Sequence, residues 1–159
     1  MLLLEILILC SVFFALCFWG TGTDEKNLRN YMSYPDAVQR RIQAIEAYQG
    51  KYQERDPLAT WVANLVVFSL LFLALGLPIR QADFWLNFLS LLVLGQSLNV
   101  FDLLVIDLLW WRHSKRIRFS EIPKKALYQD PQKHLAAFLR ALPLYFVVAL
   151  LDGYLLTLF

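Results

Sequence analysis

The 159-residue sequence is 58% hydrophobic and 15% aromatic, and its charged fraction is 18%, against about 25% in an average soluble domain. Its 15 basic and 13 acidic side chains nearly cancel to a net charge of +2, which excludes the strongly basic balance of a nucleic-acid binder. A single water-soluble domain is excluded too: four apolar spans, 2–19, 58–78, 84–111 and 135–159, hold five charged residues, and the other 23 lie between them.

A helix crosses a hydrocarbon core about 30 Å thick with about 20 apolar residues. The first span opens MLLLEILILC, with Glu5 where a secretory leader would carry Lys or Arg. The reading is a retained first helix, the alternative a cleaved leader. Cys10 and Cys17 lie about 10 Å apart along one helix, too far for a disulfide, which needs about 4.4–6.8 Å between Cα atoms. They read as small packing residues.

The 20–57 connection is too long for a mere link. Ser33, Pro35 and Asp36 form a helix-start signal, and Val38, Ile42 and Ile45 recur at helical spacing, with Tyr48 and Tyr52 nearby. The spacing predicts a short amphipathic helix ending near Gly50. It would pack under its own bundle, lie at the interface or dock a partner. Asp56-Pro57 supplies an N-cap and a first-turn proline for the second crossing, and Leu58 to Pro78 carries no charge.

The third span is the longest and holds Gln96, Asn99, Asp102 and Asp107. At α-helical winding these four fall within an arc of about 140°, a polar face that must meet protein or water. Asp102 and Asp107 then stand at its two edges, which gives no metal spacing. In the 112–134 connection, Arg112, Lys115, Arg116 and Arg118 suit anionic lipid headgroups or simply fix topology. His113 and His134 stand singly in polar surroundings and receive no metal role. Asp130-Pro131 marks the start of the last helix.

The last span brings Arg140, Pro143 and Asp152. Asp107 and Arg140 lie at similar depth from the same end of antiparallel spans, which predicts an Asp107–Arg140 ion pair. Glu5 and Asp152 lie towards the opposite ends of their helices, where they could share a proton or a cation. Pro143 is expected to kink the helix, and Gly153 to allow close packing.

Six Lys or Arg lie in 20–57, seven in 112–134 and one, Arg80, in 79–83. The positive-inside rule makes both long loops cytoplasmic and both termini external. The expected fold is all-α: a polytopic membrane domain, 1–159, with four transmembrane helices in an antiparallel bundle. No phosphate loop, zinc-protease or serine-hydrolase motif is present, and no cofactor is expected.

The run Phe101-Asp102-Leu103-Leu104-Val105-Ile106-Asp107-Leu108-Leu109-Trp110-Trp111, followed by His113-Ser114-Lys115-Arg116-Ile117-Arg118, resembles a group of small bacterial four-helix integral membrane proteins. Tyr34-Pro35 is similar to their entry into a cytoplasmic helix. These proteins are sometimes labelled permease-like and have no defined catalytic residues, so the resemblance implies a membrane family and no mechanism. Where members often carry a Gly-rich turn, this chain has Ser120-Glu121-Ile122-Pro123.

The functional expectation is a non-enzymatic transport-related or accessory subunit, acting as a homo-oligomer or beside a larger membrane partner, with anionic lipids at the inner leaflet. A membrane-embedded enzyme on a lipid or isoprenoid substrate, or a protein recruiting a cytoplasmic partner, are the alternatives.

Overall fold

A computed structural model describes residues 1–158. Six α-helices account for most of it: α1 (Leu2–Trp19), α2 (Asp24–Arg29), α3 (Asp36–Ala44), α4 (Pro57–Gly76), α5 (Phe84–Phe101) and α6 (Gln132–Leu155). A π-helical segment, Asp102–Trp111, continues α5. Four helical stretches, Leu2–Trp19, Pro57–Ile79, Phe84–Trp111 and Lys125–Leu158, are long and apolar enough to cross a membrane. Their bounds follow the sequence: Asp56 Oδ1 accepts from the Ala59 amide at 2.7 Å with Pro57 in the first turn, and Asp130 Oδ1 accepts from the Gln132 amide at 3.0 Å where α6 begins. The residues fall into two compact units, one of 1–11, 56–101 and 138–159, the other of 12–55 and 102–137.

The first unit is apolar inside and outside. Phe72, Leu91, Leu94, Leu98, Val148 and Ala149 are fully buried, whereas Val66, Val67, Leu70, Leu89 and Val93 are exposed. Lipid is the solvent in which such an exterior is stable. Small residues let the helices approach. A Cβ on Gly95 would come 2.9 Å from both Phe72 Cε2 and Tyr145 Cβ, beside rings stacked at 5.7 Å. A Cβ on Gly153 would meet the Phe88 Cα and N at 3.0 Å, so α6 lies directly on the backbone of α5 there.

The second unit contains an aromatic core of its own. Leu28, Tyr31, Tyr34, Val38, Ile42 and Tyr48 from the 20–57 connection pack with Trp111, Ile117, Phe119, Ile122 and Tyr128. Thr23 caps α2 by accepting from the Lys26 amide. The next helix differs from its predicted extent. Pro35 itself is the N-cap of α3, with no side-chain cap bond, and Ile45 turns extended, ending the helix at Ala44 well before Gly50. Gly50 sits in a turn with φ +72°, a left-handed conformation suited to glycine. Tyr34 is fully buried and donates its hydroxyl to the Ile117 carbonyl at 2.8 Å. Burial holds its ionisation well above the usual tyrosine value, so it remains a donor.

One carboxylate ties the two connections together. Asp24 accepts from the Ser120 hydroxyl at 2.5 Å and amide at 3.0 Å, and from the Tyr48 hydroxyl at 2.5 Å. Burial pushes the Asp24 carboxyl up, but these donors outweigh it and hold it below its ordinary value. With the folded value below the unfolded one, its stabilisation is complete above the ordinary aspartate range and disappears as pH falls through the folded value. Melting curves recorded from about pH 5 to about pH 3 should therefore show a loss for the parent chain that Asp24→Asn lacks. Parallel curves would contradict this assignment.

Candidate functional site

The change of winding after Phe101 alters the geometry of the third span's acids. In a π-helix each hydrogen bond closes between residues five apart, so such residues come round to nearly the same face. Asp102 and Asp107 are five apart within the Asp102–Trp111 segment. They therefore share one face, where α-helical winding would have set them about 140° apart. The segment contains no Gly or Pro, and nothing in its composition accounts for the altered winding.

Asp107 is paired. His134, in the first turn of α6, donates Nδ1–H to Asp107 Oδ1 at 2.8 Å, with side chains 5% and 12% exposed respectively. Lys133 bonds Asp36 of α3 at 2.8 Å and so fastens the start of α6 beside His134. The imidazole meets the Trp111 ring edge-on at 5.8 Å. Its Nε2 is buried without a hydrogen-bond partner, as is Trp111 Nε1. Asp102 is within electrostatic reach of Asp107 and His134, and Cys17 of α1 is within reach of both aspartates. Among the described residues, no three His, Cys, Asp or Glu are grouped so as to hold a metal ion. Cys10 and Cys17 are free thiols.

This arrangement has a definite chemical capacity. Asp107 fixes the imidazole orientation and places the proton on Nδ1, which leaves the Nε2 lone pair open to a donor.

Ion pairing differs from the expectation that joined Asp107 to Arg140. Asp107 has His134 as its ionisable partner, and Arg140 is exposed, with no ion pair among the described residues. Depth matching placed the contact within two turns, but residues 134 and 140 point about 120° apart around α6. The former bonds the aspartate. His134 stands singly in the sequence and receives no role there; its place in the first turn after Asp130-Pro131 is the available signal.

The neutral polar residues of the third span knit helices together. Gln96 Nε2 donates to the Leu142 carbonyl at 3.2 Å, and Asn99 Nδ2 to the Phe138 carbonyl at 3.3 Å. These bonds join α5 to successive turns of α6 on either side of Leu139, whose carbonyl lacks the amide that Pro143 cannot supply. Glu5 and Asp152 are both buried, at 7% and 0% exposure, and neither makes an ion pair among the described residues.

In the basic cluster, Arg116 is committed to the fold. Its guanidinium donates to the Phe18 and Thr21 carbonyls at 3.1 and 3.0 Å and lies 3.9 Å over the Phe18 ring. Arg118 bonds the His113 carbonyl at 3.4 Å, and the Arg112 carbonyl accepts from Gln129 at 2.7 Å. Lys115 is exposed. Comparison with known proteins returned no family model, no curated protein and no solved structure that matches this chain.

Proposed function

We propose that the chain is a multi-pass membrane protein in which Asp102, Asp107 and His134 form a proton-exchanging element of a transport-related or accessory subunit. The observation that carries this reading is the buried Asp107–His134 bond with an unpartnered Nε2. Ionisable groups are costly at membrane depth and mark proton or substrate paths there. The four helices form an antiparallel bundle, with the basic connections 20–57 and 112–134 cytoplasmic and both termini external, following the Lys/Arg bias. Arg112 and Lys115 meet anionic headgroups at that interface.

The purified chain in liposomes loaded with a pH-sensitive dye tests it. After an external pH jump, internal pH should relax faster than in empty liposomes, and Asp107→Asn should abolish the difference. Equal rates for parent, variant and empty liposomes would overturn the proposal.

A second reading has the same nitrogen in its favour. An Asp-oriented imidazole with a free Nε2 is also the form of a general base, which would act here on a lipid or isoprenoid substrate. Turnover of a lipid extract, lost in His134→Gln, would establish that chemistry instead.

A further inference from the structure

The first unit contains a cleft of about 500 Å³ lined chiefly by Ser69 and Leu73 of α4, Phe84 of α5, and Leu150, Asp152 and Leu155 of α6. Its volume falls within the ligand-pocket range of roughly 300–1,000 Å³. Its lining is apolar except at Ser69, Asp152 and the Tyr154 hydroxyl, the few-polar-groups pattern of a small-molecule site.

Asp152 is the unusual member. It is 0% exposed, and neither carboxylate oxygen has a hydrogen-bond partner among the described residues. The Ser69 hydroxyl lies beside it, short of hydrogen-bond geometry. The side-chain cations of this unit are Arg80 and Arg140; both are exposed, and neither pairs with it. A carboxylate in such surroundings takes up a proton or pairs with a counter-charge, and no cation of this unit reaches it.

We propose that the cleft binds a lipophilic ammonium compound, an apolar body with a single cationic head, and that Asp152 is the counter-ion for that head. The leucines and Phe84 take the apolar body, and Ser69 offers a hydroxyl to the ammonium. Because Asp152 is covered, the side chains over it must part to admit the head. This site is independent of the Asp107–His134 pair and does not rest on the proton-exchange reading.

The test uses the full chain in nanodiscs of zwitterionic lipid, titrated with dodecylammonium and, separately, with dodecanol. Dodecylammonium should bind saturably, one per chain, and Asp152→Asn should weaken it at least tenfold while leaving dodecanol unchanged. Leu155→Trp, which narrows the cleft and keeps the acid, should weaken dodecylammonium as well. That variant carries the test should Asp152→Asn not fold. Undiminished dodecylammonium binding in either variant overturns the proposal. Dodecanol binding as tight as that of dodecylammonium overturns it too, and makes the cleft a groove for neutral lipid.

Discussion

Replacing His134 by alanine should destabilise the protein more than any other change to its buried polar groups, by about 3 kcal/mol or more, because it leaves the Asp107 carboxylate covered and without its hydrogen-bond donor. Asp107→Ala should cost less, about 1–3 kcal/mol, since it orphans a neutral donor, the imidazole Nδ1–H. The double variant should lose less than the two single losses combined. The carboxylate that His134 satisfies is then absent, so the largest penalty does not arise. Arg140→Ala should fall near zero, because Arg140 is exposed and makes no ion pair among the described residues. Unfolding in mixed micelles measures all four. Additive losses at 107 and 134, or a large loss at 140, would restore Arg140 as the partner.

The second large effect is in the aromatic core of the other connection. Ile42 is fully buried among Tyr34, Val38, Phe119 and the rest of that cluster. Ile42→Ala removes three carbons and leaves a cavity that close-packed aromatic rings cannot fill, for a cost of about 2–5 kcal/mol. Tyr34→Phe at the same core removes one hydroxyl bond to Ile117 and should cost only about 1 kcal/mol. Limited proteolysis within 20–55 reads both. Faster cleavage of the alanine variant, with the phenylalanine variant near the parent, is the expected order; equal protection of all three would mean this core contributes little.

What was legible in the sequence divides by the kind of physics involved. Apolar length and the proline-marked starts at Asp56-Pro57 and Asp130-Pro131 are local signals, and the helices begin where those signals stand. The outward view of α3 as a periodic run through Ile45 and Tyr48 failed at its end. Ile45 leaves the helix, yet Tyr48 still reaches the core because Asp24 and Ser120 hold its hydroxyl. That contact joins residues far apart in the chain, and no periodicity encodes it.

The candidate site was half visible. Asp102 and Asp107 stood out as acids in an apolar span, but their relation assumed uniform α-helical winding. The π-helical turn brings them onto one face, and a run of Leu, Val, Ile and Trp gives no warning of it. His134 was harder still, since one histidine near a helix start has many uses. Its role emerges only from the contact with Asp107, a residue far away in the chain. Gln96 and Asn99 show the converse case: of a polar face that must meet protein or water, these two bond carbonyls of α6.

The chain contains two histidines, His113 and His134, which makes the central claim directly measurable. With histidine labelled by ¹⁵N in a His113→Gln background, the NMR spectrum in nanodiscs reports His134 by itself. A buried Asp107-oriented imidazole predicts a single tautomer, with the proton on Nδ1 and Nε2 bare, and loss of this tautomer in Asp107→Asn. A spectrum that Asp107→Asn leaves unchanged, with the tautomer mixture of a free imidazole, would contradict the account.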